Sequence, residues 1–331
     1  MSYLEQFTGE ITASTQIPYA QLVSPPNLNS AMLKRWQKED GNFGLFISAE
    51  QAEIAGFMPD DTWQPTQVAF SSKEEFTPGF ITKSPRFVVV HRSQAEVQYR
   101  ADENSRFKFI DVYWKNGQKT VAGLEADKDK NLYKIVTRHL VLFLGADNRP
   151  LHSVPIQYTA KGAFASSLGT ELNLLYSATG EVFAEYLKQN GVKSPGKALS
   201  AYARAFTMMS MKIDIYRNDD KTSPFCYPSE VTHPSLNTGS EVLNRKVKDK
   251  FREVTVKKVA LEKVLLDMKS DAGELIKSWY QEYQEFPKPR IMQEMTEEIF
   301  GDEDRERLYE EVNYEVGRKL MKDETETEIP Y

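Results

Sequence analysis

The feature that most limits how this chain can fold lies between residues 80 and 160. Short β-branched and aromatic runs follow one another there at close spacing, each ended by a turn signal. Arg86-Phe87-Val88-Val89-Val90-His91 is a compact strand and Val97-Gln98-Tyr99-Arg100 a shorter one. Residues 107–114 make a third. It runs into Asn116-Gly117, the dipeptide that closes two-residue hairpins because both positions accept positive φ. Residues 133–144 make a fourth, ended by Gly145-Ala146-Asp147-Asn148. Residues 154–158 make a fifth, placed at an edge because Pro155 has no amide proton to give to a ladder. Five strands with turns between them predict a small barrel or sandwich.

Other segments are helical or irregular. The first 30 residues contain Pro18, Pro25 and Pro26 and read as an extended entry. Residues 44–47 form a short strand, and Ser48 with Gln51 three residues on matches a helix-capping box, the helix ending near Gly56. Residues 166–190 carry a helical stripe through Leu168, Leu172, Leu175, Val182, Phe183 and Leu187. Residues 211–216 alternate as a strand, and 254–256 suggest a late one. Residues 261–283 read as a helix interrupted near Gly273. Pro287 and Pro289 break the chain before two charged helices, 291–300 and 303–321. The expectation is an α+β protein with four parts: an extended segment over 1–30, an OB-like barrel over 31–260 with a helical insertion near 166–210, a helical region over 261–321, and a disordered acidic tail over 322–331.

The formal charge of -6 conceals a division. Residues 291–331 hold 14 acids and 5 bases, leaving 37 bases and 34 acids before them. Within the body, residues 83–149 hold 13 bases and 8 acids, and a second basic run covers residues 245–252. A mildly basic body followed by an acidic end points to two separate tasks. The 40% apolar content supports a core, yet no run approaches the roughly 18 apolar residues of a membrane helix. The first residues lack the basic and apolar regions of a secretory signal, and the single Cys226 excludes an internal disulfide. The expected setting is cytoplasmic, without membrane attachment.

Chemistry-bearing motifs are scarce. Residues 191–198, Gly-Val-Lys-Ser-Pro-Gly-Lys-Ala, have P-loop spacing, but Ala198 lacks the hydroxyl that holds magnesium and the stretch follows a helix instead of a strand. His91, His139, His152 and His233 lie outside metal-ligand spacing of one another and of Cys226. Cys226 has Phe225, Tyr227 and Pro228 beside it and no cation to lower its pKa. The reading is no catalytic residue, no metal, no cofactor and no enzyme.

Aromatic and basic residues on strands carry more information. On residues 107–115 one face holds Phe107, Phe109, Asp111, Tyr113 and Lys115, and the other Lys108, Ile110, Val112 and Trp114. Sheet aromatics flanked by cations suit single-stranded nucleic acid, because every base has a π-face and cations follow phosphates. Candidate phosphate contacts are Arg86, Arg92, Arg100, Lys108, Lys115, Lys134 and Arg138. Candidate stacking platforms are Tyr99, Phe107, Phe109, Tyr113 and Trp114.

The end of the chain reads Asp323-Glu324-Thr325-Glu326-Thr327-Glu328-Ile329-Pro330-Tyr331. This tip resembles that of bacterial single-stranded DNA-binding proteins, an acidic tail ending in acidic–Ile-Pro-Phe, with Tyr331 in place of phenylalanine. The body resembles, in layout, the enlarged barrels of phage- or plasmid-borne members. The resemblance implies sequence-tolerant binding of single-stranded DNA, with RNA also possible, in replication or recombination. It also implies that Glu328, Ile329, Pro330 and Tyr331 recruit replication or recombination proteins, and a homo-oligomer is possible. Two other classes stay open: a structural or virion-associated protein that binds no nucleic acid, and a nuclease or RNA-guided effector subunit.

Overall fold

The computed structural model describes residues 17–25, 42–70, 76–102, 105–193, 195–216, 224–236, 239–247 and 250–286, of which 245–247 and 250–252 are described by backbone alone. The charged helices expected over 291–321 and the tail over 322–331 lie outside the described residues. In chain order the elements are β1 (Tyr19–Val23), β2 (Gly44–Ser48), α1 (Ala49–Ala55), β3 (Gln64–Val68), β4 (Thr77–Thr82), β5 (Arg86–Arg92), β6 (Glu96–Tyr99), β7 (Lys108–Val112), β8 (Trp114–Lys115), β9 (Gln118–Lys119) and α2 (Val121–Lys128). Then come β10 (Tyr133–Phe143), β11 (Ile156–Lys161), α3 (Gly162–Gln189), α4 (Ala201–Arg204), β12 (Met208–Tyr216), β13 (Phe225–Pro234), β14 (Gly239–Val247), β15 (Lys250–Val259), a 3-10 turn (Leu261–Lys263) and α5 (Asp271–Glu282). The protein is mixed α+β. No described helix is long and apolar enough to cross a membrane.

Two compact units divide the described residues: those up to Arg92 with Arg138–Gln284, and Ser93–Thr137. Both cuts around Ser93–Thr137 fall inside the stretch expected to be one barrel domain. In the first unit the strands run β14-β15-β13-β12-β5-β10-β11-β1-β2-β4-β3, a path with two ends. The expected five strands are present, but they do not close on one another. β10 has eleven residues, and its two halves have different neighbours: Tyr133 to Val136 pair with β6, and His139 to Phe143 with β5. The other edge of β5 is taken by β12, the strand expected over 211–216, through its first residues Met208–Ser210, which fall at the end of the expected helical insertion. β11 lies beside β10, and its other edge is taken by β1. A ring needs each strand's second edge to meet a member of the ring, and here those of β5 and β11 are taken by β12 and β1.

The central strands are apolar on both sides, and alternation sorts their side chains. Phe87, Val89, Val141, Phe143, Met209 and Met211 share one buried cluster with Phe164, Leu168, Leu172 and Leu175 of α3. Val88, Val90, Leu142, Leu144 and Met208 share the other with Ala272, Ile276 and Trp279 of α5. Each such aliphatic or aromatic side chain removed from water contributes about 1.5–3 kcal/mol before the entropy of ordering it. Gly273 does not interrupt a long helix. It stands in the first turn of α5, where its N–H donates to the Ser270 cap at 3.1 Å and a Cβ would overlap the Asp267 carbonyl.

The capping box at α1 is half formed. Ser48 Oγ accepts from the Gln51 N–H at 3.3 Å, and Gly56 ends the helix in the left-handed region at φ 61°. The Gln51 side chain accepts instead from the Tyr19 N–H at 3.1 Å, tying β1 to the helix.

His152 is enclosed. Its Nε2 accepts from the Phe143 N–H at 2.8 Å, which leaves Nδ1 to carry the proton and donate to the Val154 carbonyl at 2.7 Å. Its ring stacks on Trp279 with centroids 5.8 Å apart. Burial pulls its pKa from 6.5 to about 4, so it is neutral in the folded protein at neutral pH. Cys226 is buried too, and loss of solvation pushes its thiol up to about 11, which keeps it a thiol.

Candidate functional site

Nine of the twelve nucleic-acid candidates fall in the unit Ser93–Thr137. Its scaffold is a three-stranded antiparallel sheet in the order β7, β6 and the start of β10. α2 follows a hairpin turned by Asn116 (φ 52°) and Gly117 (φ 80°), as the dipeptide predicted. Thr120 caps α2 by accepting from the Gly123 N–H at 3.0 Å, and its hydroxyl donates to the Val112 carbonyl at 2.6 Å. Ala122 and Ala126 of α2 form a small core with Val97 and Ile110, and Tyr99, Tyr113, Tyr133 and Ile135 pack against it. One face of the sheet is thereby covered.

The register defines the opposite face. Gln98 is paired with Phe109 on one side and Lys134 on the other, and a bulge separates it from the Val97–Asp111 pair. Alternation places Arg100 and Phe107 on this same side. The Lys134 ammonium stands 3.9 Å from the Phe107 ring centroid and the Arg100 guanidinium 4.8 Å from it. Arg100 Nε donates to the Asn131 carbonyl at 2.7 Å, which fixes the plane of its fork. The arrangement is an aromatic ring with two cations over it, beside Gln98 and the half-buried Phe109. A flat π-surface can stack on the ring or the guanidinium plane, and an anion can lie between the cations. Residues 93–137 hold 8 bases and 7 acids, so the stretch as a whole is close to neutral.

The other candidates are placed differently. Tyr99 and Tyr113 belong to the small core, Tyr99 against Tyr133 at 5.0 Å between centroids. Lys108 is paired with Tyr99 and shares its side. Trp114 is 49% exposed and sits with Lys115 on the hairpin, its ring edge-on to Tyr113 at 5.7 Å. The Tyr113 hydroxyl donates to Asp127, and the same carboxylate binds Lys119, whose hydrogen bond lowers the Asp127 pKa. Arg86 is committed to its own fold: its guanidinium donates to the Gly145 carbonyl and to Asn148 Oδ1, both at 2.5 Å, and burial lowers its pKa. Arg138 is only 8% exposed inside β10. Arg92 ends β5 and lies along α3. The basic run 245–252 falls on the facing ends of β14 and β15, with residues 248–249 outside the described residues. Glu328, Ile329, Pro330 and Tyr331 are outside them as well. Among the described residues no group of three His, Cys, Asp or Glu side chains could hold a metal. Sequence reading missed Gln98 and Arg204. The first is visible only once a register is known, and the second sits on a four-residue helix.

Residues 14–243, well over half of the chain, match the family described as "Domain of unknown function (DUF5895)". "Uncharacterized protein 254L" of Invertebrate iridescent virus 6 is 31% identical over 185 residues, covering 49% of this chain and 53% of the relative. The chain therefore spans about half the length of that relative. No solved structure matches.

Proposed function

We propose that this chain, which belongs to the DUF5895 family, binds single-stranded nucleic acid on the sheet face that α2 leaves uncovered. The observation that carries the reading is the Phe107 ring with the Arg100 and Lys134 cations over it, held on paired strands. A base stacks on the Phe107 ring or on the Arg100 plane, with Phe109 beside them, and the neighbouring phosphates meet the positive charge of Arg100 and Lys134. Gln98 offers both a donor and an acceptor to base edges. Stacking does not choose among bases, so the binding is sequence-tolerant. The platform is an open sheet instead of a closed OB barrel. In this reading the acidic end recruits replication or recombination proteins through Glu328, Ile329, Pro330 and Tyr331, and the protein does no covalent chemistry.

The test is fluorescence anisotropy of the full chain with labelled dT30, a duplex of equal length and a uridine oligomer over a salt series. Phe107→Ala should weaken dT30 binding by about 1–3 kcal/mol, roughly 5- to 150-fold. Lys134→Gln should lower the salt slope by about 0.7. Deleting residues 324–331 should leave or strengthen dT30 affinity. Absence of dT30 binding at low salt, or an unchanged affinity in Phe107→Ala, refutes the reading and favours a structural protein. Metal-dependent cleavage of the oligonucleotide refutes the non-enzymatic part.

A further inference from the structure

A second pair of cations lies in the first unit, on different residues. Arg92, the last residue of β5, runs along α3 over Gly169. A Cβ at Gly169 would stand 2.8 Å from Arg92 Nη2, so the glycine leaves the seat that the guanidinium occupies. One turn on, Asn173 Oδ1 lies 3.5 Å from Arg92 Nη1, a long contact. The next residue on this stripe is Tyr176. Over its ring, with the guanidinium carbon 5.6 Å from the centroid, lies Arg204. Arg204 Nε donates to the Leu199 carbonyl at 3.2 Å, which turns the outer edge of the fork away from the backbone.

Among the described residues neither arginine forms an ion pair. Arg92 is an exposed residue, but its guanidinium lies along α3 and is partly withdrawn from water there, which lowers its pKa. Even partial loss of solvent around a guanidinium without an opposite charge is unfavourable, and a second cation beside the same tyrosine adds repulsion. An anion between them reverses both terms. Two forked guanidinium groups match the several oxygens of a tetrahedral oxyanion better than a single carboxylate does. Tyr176 is pushed up to about 12, mainly by burial, so its phenol stays neutral and adds no opposing charge.

We propose that Arg92 and Arg204, set around Tyr176 on α3, form a binding site for a phosphate group. The group is either a phosphodiester of nucleic acid or a free phosphate. The site uses none of the residues of the Phe107 platform and stands apart from that reading.

The experiment uses the full chain, the exposed-site variant Arg204→Gln, and Phe107→Ala. In the first arm, inorganic phosphate replaces chloride at equal ionic strength and melting is followed. Phosphate at roughly ten times its Kd should raise the melting temperature by about 2–4 °C, and Arg204→Gln should abolish the rise. In the second arm the probe is dT30 over a salt series. If the phosphodiester is the source, Arg204→Gln lowers the salt slope by about 0.7. If free phosphate is the source, only the first arm responds. Arg92→Gln repeats both arms. No phosphate-dependent rise in the unsubstituted protein, together with unchanged dT30 binding in Arg204→Gln, overturns the proposal. Loss of dT30 binding in Phe107→Ala alone bears on the platform and not on this site.

Discussion

Acidification should unfold this protein partly through one side chain. His152 is a neutral imidazole with both nitrogens committed, Nε2 to the Phe143 N–H and Nδ1 to the Val154 carbonyl. Protonation would place a second donor against the Phe143 N–H and a charge inside a cluster of Phe57, Phe143 and Trp279 rings. Its folded pKa of about 4 lies below the unfolded 6.5, so the unfolded chain takes up the proton first. Stability from this group is complete above pH 6.5 and is lost as pH falls toward 4. The difference of about 2.5 pKa units at 1.36 kcal/mol each amounts to about 3 kcal/mol. The perturbation is His152→Leu, which removes the titration and leaves the Phe143 N–H and Val154 carbonyl without their partner. The measurement is urea unfolding followed by tryptophan fluorescence from pH 8 to pH 4 in both proteins. Every other ionisable group is common to both proteins and cancels in the difference. The stability gap between the two should be constant above pH 6.5 and shrink by about 3 kcal/mol by pH 4. Parallel curves across that range would refute the argument. His152→Gln, which keeps an acceptor and a donor, serves if the leucine variant does not fold.

Two further outcomes follow from local geometry. Gly180→Ala, in the middle of α3, gains about 1 kcal/mol of helix propensity, yet a Cβ there would overlap the Lys197 carbonyl, so the measured stability should fall. Ser48→Ala removes the cap of α1 and should cost about 1 kcal/mol in the same denaturation assay, with no change in dT30 affinity.

The legible parts of the fold were those decided within a few residues. Ser48 and Gly56 bound α1 because a hydroxyl and a left-handed glycine are local devices. Asn116-Gly117 turns its hairpin for the same reason. Pairing was not local. The choice of β12 as neighbour of β5 joins residues about 120 apart, and nothing in the Val88 run favours Met208 over another apolar strand. The site follows the same division. Alternation along residues 107–115 was visible, but the covered face depends on α2, whose few apolar residues gave no clear period. The approach of Lys134 to Phe107 depends on the β6–β10 register and a bulge. Arg86 and Arg138 looked like their exposed neighbours because burial of an arginine leaves no mark in its own sequence.

The parallel pairing of Tyr19 and Ala20 with Gln157 and Tyr158 has a consequence for synthesis. β1 can zip onto β2 soon after both leave the ribosome, since their partners are close in sequence. Its other edge must wait until β11 has emerged, well over a hundred residues later, and closing so long a loop comes late in folding. Meanwhile that edge is an open row of amides and carbonyls beside apolar side chains. A nascent chain stalled before β11 should therefore be the most sticky form of this protein, and release of the stall the moment its solubility returns.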